Sequence, residues 1–309
     1  MGSPNLRPGR EVEYVLKPGV CETWEVNGGV VMGIHYGADP EKDEAWALRM
    51  SEGVPPSVWQ REMEGRIRVF EGTPVHPEYN SGIHEVDNLE MPPMNRVGTL
   101  IGSWDCGNTL TPAFVLRHVT PRPFQIQVLK EVVCPEGEAM FMAAFAPYVR
   151  AEMDAWDVNW KNYTIEHWAD PSAAARLGGD GRSAIDVAQE YGFNLIQSSN
   201  NPEERLGAVS WALMDMIDEE TPRVVYSATG CPMLTKGLAG GYQVGTIRVG
   251  DGSRVLNKPI KNKFSHPCDA DQYGAIRAKQ VVLGQASHKP LDRMFGDKRR
   301  PVPQQGRYV

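Results

Sequence analysis

The sequence predicts an α/β fold: a mixed sheet of three antiparallel strands followed by parallel strands, flanked by helices, with a small N-terminal linker subdomain ahead of it. Three observations predict it. Between residues 96 and 133, three apolar strand-like runs follow one another with short connections, the pattern of an antiparallel meander. From residue 138 helix-like and strand-like segments alternate, the pattern of crossovers between parallel strands. Three aspartates, Asp105, Asp170 and Asp269, each stand at the edge of an apolar segment, where a fold can bring distant carboxylates together.

In chain order, residues 1–20 come first; they are polar and rich in Pro and Gly and read as an extended arm. CETWEV (21–26) and VVMGIHY (30–36) read as a strand pair around Asn27-Gly28-Gly29, a hairpin turn signal. Ala38-Asp39-Pro40 opens a stretch that ends in a charged helix, SVWQREMEGRIRVF (57–70). Residues 71–96, polar and broken by Pro and Gly, read as a loop or linker into a second unit.

The meander is RVGTLIGSWDC (96–106), TPAFVLRHVT (111–120) and FQIQVLKEVV (124–133). EAMFMAAFAPYVRAEMDAW (138–156) lacks Gly and predicts a helix with a kink at Pro147. YTIEHWAD (163–170) is a strand, SAIDVAQEYG (183–192) a helix closed by Gly192, and FNLIQS (193–198) a strand. PEERLGAVSWALMDMID (202–218) is a helix with Pro202 in its first turn. PRVVYSA (222–228) and GGYQVGTIRV (240–249) read as a further hairpin, and CDADQYGAIRAKQVV (268–282) as the closing helix. The expected organisation is an arm and linker over 1–95, a main domain over 96–285 and a basic, Pro-rich, disordered tail over 286–309.

Composition bounds the function. The 309 residues carry a net charge of −7, which argues against a uniformly basic nucleic-acid binder while leaving room for a local basic groove. Five cysteines form no CxxC, so neither a zinc site nor a disulfide framework is expected, and reduced thiols in a cytosolic compartment fit. No apolar run reaches membrane-spanning length, the N-terminus has no signal-peptide core, and Leu6 stands where a myristoylation signal needs Ser or Thr.

Clustered carboxylates repel unless a cation lies between them, and oxygen ligands select Mg²⁺ or Mn²⁺. Asp105, Asp170 and Asp269 therefore point to metal-dependent phosphodiester chemistry. Asp105 is the candidate bridging ligand, with Gly107 nearby to let a phosphate approach. Glu131 and Asp271 are further candidate ligands. Each has a structural alternative: Asp170-Pro171 is also a turn initiator, Asp269 a helix cap, Glu131 a surface strand residue. For DNA contact, Lys258, Lys261 and Lys263 cluster ahead of His266 and Asp269, with Arg176, Arg182 and Lys236 as additional candidates and Lys298-Arg299-Arg300 in the tail. No segment reads as a base-reading helix, so cutting with little sequence preference is expected.

The strand and helix order is that of the ribonuclease H-like fold. GSWDCGNTLTPAFVLRHV resembles the first two strands of the nuclease domain of phage terminase large subunits. HWADPSAAARLGGDGRSAIDVAQEYGFNLIQSSNNPEERLGAV resembles that family's fourth strand with its aspartate, the next helix and a Ser/Asn-rich turn. GLAGGYQV with FSHPCDADQYGA resembles its hairpin and closing helix. The resemblance runs over about 20–282. It implies endonucleolytic cutting of concatemeric double-stranded viral DNA during packaging, two Mg²⁺ or Mn²⁺ ions, and Asp105, Asp170 and Asp269 as the core carboxylates, with Glu131 a less direct match. It further implies a packaging ATPase subunit or domain, a portal and a small terminase subunit as partners, in the cytoplasm of an infected bacterial host. No G-x-x-x-x-G-K-[ST] loop occurs in the chain, so no ATPase is assigned to it, and residues 20–95 resemble the family's ATPase–nuclease connection. Two other readings remain open: a different ribonuclease H-like nuclease, of the junction-resolvase or RNA-strand type, and a non-catalytic docking module of a packaging motor.

Overall fold

The computed structural model describes residues 11–14, 19, 21–26, 29–52, 59, 63–64, 67–70, 73–106, 111–175, 181–249 and 252–284. They fall into two units, Met1–Asn88 with Tyr226–Asp269, and Leu89–Val225 with Ala270–Val309. Most of the expected arm and all of the expected tail beyond 284 lie outside the described residues, as do Asn27, Gly28, Arg61, Glu62 and Gly107.

The first unit opens with β1 (Glu11–Tyr14) and the antiparallel hairpin of β2 (Cys21–Val26) and β3 (Gly29–Ile34), with Cys21 opposite Ile34. Helix α1 (Glu44–Ser51) starts at Asp43, whose carboxylate accepts the Trp46 N–H at 2.7 Å. The helix expected over 57–70 is corrected at its end. Residues 67–70 form β4 (Ile67–Phe70), paired antiparallel with β1. Ile, Val and Phe there have strong strand preferences, and an available partner strand decides between the two states. Where a linker was expected, the chain forms β5 (Thr73–Pro74), the single turn α2 (Ser81–His84) and β6 (Glu85–Val86).

The second unit carries the meander as expected: β7 (Thr99–Asp105), β8 (Ala113–Val119) and β9 (Ile126–Val133), antiparallel throughout. Helix α3 (Met142–Trp156) buries Met142, Phe145, Ala146, Val149 and Met153, one stripe at helical spacing. The helix runs through Pro147. The carbonyl that loses its N–H partner there belongs to Ala143, an exposed residue that water can serve. Then come β10 (Ile165–Ala169), α4 (Ala184–Glu190), β11 (Leu195–Gln197), α5 (Pro202–Met214) and β12 (Val224–Ser227). Ser183 and Asp186 form a reciprocal capping box on α4, and Gly192 takes φ +90° beyond its end. Helix α5 stops at Met214, short of the expected end at 218. Asp215 leaves it to hold Arg223, by its carbonyl at 2.9 Å and its carboxylate at 2.8 Å.

The strand order in the second unit is β11-β10-β7-β8-β9-β12, with β10 parallel to both β7 and β11. Counted from β7, the first five strands lie in the order five, four, one, two, three. That is the ribonuclease H-like arrangement, and it places the ends of the first and fourth strands side by side.

The hairpin expected between 222–228 and 240–249 is also corrected. Strand β12 is buried along its whole length beside β9, as suits the unbroken apolar run VVY. After the short helix α6 (Pro232–Lys236), β13 (Gln243–Val249) pairs instead with β14 (Gly252–Pro259) and with β5. Asp251-Gly252 is the turn signal that marks this pairing. The closing helix α7 (Ser265–Val282) begins ahead of the expected start at 268. Residues from Ala270 onward belong to the second unit. Among the described residues no helix is long and apolar enough to cross a membrane.

Alternation along β7 divides the sheet's two faces. Trp104 is fully buried in a core with Phe114 and Phe193, ring centroids at 4.7 and 4.9 Å, and Phe145 edge-on at 6.2 Å. Its indole N–H donates to His167 Nδ1 at 3.2 Å. Burial pushes the His167 pKa down to about 3, so the ring stays neutral and can accept that proton. Trp104 pointing into this core obliges Ser103 and Asp105 to point to the opposite face.

Helix α7 lies on that opposite face. A Cβ at Gly274 would stand 2.7 Å from the Arg117 guanidinium and 2.7 Å from Ser103 Oγ. In an open helix Gly→Ala stabilises by up to about 1 kcal/mol. Here Gly274→Ala is expected to cost roughly 1–3 kcal/mol through overpacking, read as a lowered urea midpoint. A gain in stability would show that the helix does not seat this closely.

Candidate active site

The geometry begins with register. Parallel pairing of β10 with β7 sets Ala169 opposite Trp104, so the next residues, Asp170 and Asp105, are neighbours at the two strand ends, where strands run about 4.8 Å apart. The Asp170 N–H donates to the Trp104 carbonyl at 3.2 Å and continues the pairing past the strand. Asp105 is buried, 6% exposed. Asp170 is half-buried. Its carboxylate accepts the Ser172 N–H at 3.0 Å and the Ser172 hydroxyl at 2.6 Å, capping the short turn Pro171–Ala174. The turn role and a ligand role are compatible, because each carboxylate oxygen has two lone pairs.

The Cys106 thiol lies close to this pair. Its pKa is pushed well above the usual thiol range, by burial first and then by the charges of Asp105 and Asp170. A hard divalent cation prefers oxygen donors to a thiol sulfur. The oxygen donors here are the carboxylates of Asp105 and Asp170.

Glu131 lies on the same sheet face. It is paired with Val115, which is paired with Ser103, and residues opposite each other in antiparallel strands share a face. Glu131 is 6% exposed and stands two strands from Asp105, so the surface strand residue allowed by the sequence is in fact a buried one. Asp271 is committed elsewhere. Arg117 Nη2 donates to its carboxylate at 2.8 Å and to its carbonyl at 2.6 Å, with both side chains 2% exposed.

Asp269 belongs to the first unit. It is buried, with Tyr242 Oη donating to Oδ1 at 2.8 Å and Lys261 Nζ bound to Oδ2. The glycines of GLAGGYQV serve this place: a Cβ at Gly237 would meet Cys268 Sγ at 2.6 Å, and one at Gly241 the Phe264 ring at 2.6 Å. They let the first turn of α7 come against the 237–242 segment. Lys258, Lys261 and Lys263 are all exposed, His266 is half-buried, and Lys236 is exposed. Arg182 is exposed and bound to Glu190 at 2.8 Å. Arg176 and Lys298-Arg299-Arg300 lie outside the described residues.

The structure thus brings Asp105 and Asp170 together, and gives Asp269 a tyrosine and a lysine. Among the described residues no group of three or more His, Cys, Asp or Glu side chains stands close enough to hold a metal ion. Sequence reasoning missed Arg117, Tyr242 and the pair Glu166–Arg277, whose guanidinium donates to Glu166 Oε2 at 2.6 Å and Oε1 at 3.0 Å. Arg117 had a signal: a charge inside the otherwise apolar strand AFVLRHV must find a partner when buried.

No family model and no curated protein matches the chain. Solved structures similar to it include the large terminase of a thermophilic bacteriophage, at 16% identity and a TM-score of 0.48, over 78% of this chain and 52% of that one. The nuclease domain of the P22 large terminase is similar at 11% identity and a TM-score of 0.46, over 67% of this chain and 92% of that domain. The g2p large terminase nuclease domain of bacteriophage SPP1, solved with bound Mn, is similar at 18% identity and a TM-score of 0.42, over 63% of this chain and 95% of that domain. The chain spans about half the length of the thermophilic phage protein. The chain is similar to phage large terminases and their nuclease domains.

Proposed function

We propose that the chain is a divalent-metal-dependent endonuclease of the phage large-terminase type, hydrolysing phosphodiester bonds of concatemeric double-stranded viral DNA during packaging. The observation that carries this reading is Asp105 and Asp170 side by side at the ends of adjacent parallel strands. Two buried or half-buried carboxylates at one place are unfavourable without a cation. Mg²⁺ is commonly held by one or two carboxylates together with its own waters and substrate phosphates, so the donor pair fits such an ion.

In this reading Asp105 and Asp170 hold metal, and Asp269 completes the set on the strength of its sequence motif, with Glu131 supporting from the same sheet face and Asp271 the weakest candidate because Arg117 engages it. The chemistry that divalent ions held there would supply is activation of a water and stabilisation of the leaving oxygen. The chain's own work is to fix the carboxylates. Ser172 orients Asp170 through two hydrogen bonds, and the Trp104 core behind the strand holds Asp105 to its face. Lys258, Lys261 and Lys263 provide phosphate contacts, with His266, Arg182 and Lys236 as secondary ones. The partners proposed are a packaging ATPase subunit or domain, a portal and a small terminase subunit, in the cytoplasm of an infected bacterium.

The test is nicking of supercoiled plasmid by the chain with Mg²⁺, Mn²⁺ or EDTA. Metal-dependent nicking of linear and circular duplex alike is the expected result. Preference for four-way junctions would favour the resolvase reading. Absence of nicking by folded protein that also binds no Mn²⁺ would sink the proposal in favour of a docking module.

A further inference from the structure

We propose that a cleft in the first unit is a binding site for a small organic carboxylate carrying an apolar or aromatic body. The proposal shares no residue with the metal reading above and does not depend on it.

The cleft holds about 320 Å³, at the lower end of the volumes that take small ligands. Its walls are Ile34, Tyr36, Ala38 and Met63, and its polar groups are His35, Asp39 and Lys42. Backbone bonds set the frame. The Tyr36 N–H donates to the Met63 carbonyl at 2.9 Å, the Ala38 N–H to the His35 carbonyl at 2.9 Å, and the Lys42 N–H to the Asp39 carbonyl at 3.0 Å.

His35 supplies one donor. It is 7% exposed, and its Nδ1 accepts the Gly37 N–H at 3.0 Å and the Gly19 N–H at 3.3 Å. A ring nitrogen that accepts carries no proton, so this network assigns the proton to Nε2. That N–H has no hydrogen-bond partner among the described residues. A donor more than nine-tenths buried is costly to leave unserved.

Lys42 supplies the second. Its ammonium stands 3.7 Å from Asp39 Oδ2, outside hydrogen-bond distance, and 5.2 Å from the Trp46 ring centroid. No hydrogen bond among the described residues takes up its three donors. Asp39 is better served, since its Oδ1 accepts the Glu41 N–H at 3.0 Å.

The two donors select the ligand's head: an acceptor group with two oxygens takes one N–H from each. The charges of Asp39 and Lys42 cancel, so a monoanionic carboxylate enters at less cost than a phosphate dianion, which Asp39 repels more strongly. The walls select the body. Ile34 is 57% exposed, and the Tyr36 ring lies stacked on His35 at 4.5 Å between centroids. With Ala38 and Met63 they offer apolar surface that a ligand's body covers. Such a carboxylate has two sources, a free small acid or the C-terminus of a polypeptide.

The test is calorimetric titration of the intact chain with hydrocinnamate, its neutral amide, phenyl phosphate and an acetylated peptide ending in phenylalanine. The proteins are wild type, Lys42→Met, His35→Asn and, as charge control, Arg49→Met, an exposed residue of α1 outside the cleft. Asn at position 35 keeps a cap acceptor and removes the Nε2 donor. Hydrocinnamate is expected to bind at least about tenfold tighter than the amide. Lys42→Met and His35→Asn are each expected to weaken the acid roughly three- to tenfold and to shrink its advantage over the amide. Arg49→Met is expected to leave affinity unchanged. A peptide bound more tightly than hydrocinnamate assigns the site to a chain terminus and the reverse order to a free acid, and both uphold carboxylate recognition. Equal binding of acid and amide, tighter binding of phenyl phosphate, or undiminished binding by Lys42→Met overturns it, as does no binding of either carboxylate by folded wild type. Lys42→Met, whose side chain is 39% exposed, keeps the test decisive if His35→Asn disturbs the turn.

Discussion

Asp105→Asn is expected to lower metal-dependent plasmid nicking by at least about 100-fold, the upper end of what loss of even an outer-shell metal partner costs, while the variant melts no earlier than wild type. The two halves of this expectation have one cause. Asn keeps the shape of Asp and can still be served by the strand-end environment, but it removes one of two negative charges placed side by side by the β7–β10 register. Like charges held together destabilise the fold that holds them. A residue retained for chemistry at such a place is one whose removal leaves stability equal or raised. The measurement pairs initial nicking rates in Mn²⁺ with a thermal melt in EDTA. Cutting at the wild-type rate would remove Asp105 from the site. A collapse in stability would make it a structural acid instead.

Arg117→Met is expected to have the largest effect on stability, a loss of about 3–5 kcal/mol. The guanidinium and the Asp271 carboxylate face each other with 2% of either side chain exposed, and Nη2 also holds the Asp271 backbone carbonyl. Deleting the cation leaves a charge buried between β8 and α7 without its principal compensation, and the side chain cannot reach water without moving the helix. The double variant Arg117→Met/Asp271→Leu should recover most of the loss, because two apolar groups of similar volume remove both desolvation penalties together. Urea unfolding of the two single variants and the double closes the cycle. A single-variant loss below about 1 kcal/mol, the range of exposed ion pairs, would show the pair to be hydrated.

Much of the second unit was legible because its signals are local and consistent. The three meander strands, Gly192 and the helix over 142–156 all follow from periodicity, capping chemistry and turn residues acting over a few positions. The errors came where partner availability decided. Residues 67–70 satisfy helix and strand patterns alike, and pairing with β1 settles them as strand. VVYS and GGYQVGTIRV are each good strands, and nothing within either says that the first belongs beside β9 and the second beside β14. Asp251-Gly252 held that information, but only as one turn signal among many.

The site divides in the same way. By itself the sequence determined that the chain has carboxylates at the ends of two strands, lysines just ahead of Asp269 and no G-x-x-x-x-G-K-[ST] loop, whereas Asp269, read as opening a helix, lies beyond the first turn of α7, which starts at Ser265. It could not determine which acids are available to act, because Asp170 also reads as a turn residue, Asp269 as a helix cap and Glu131 as a surface strand residue. Tertiary structure decided that Asp105 and Asp170 are strand-end neighbours, since register across parallel strands depends on pairing between residues more than 60 positions apart. It also decided that Asp271 is taken by a buried arginine from β8, and that Lys261 sits on Asp269. A charge's role is set by what it meets once water has been removed, and those neighbours come from distant parts of the chain.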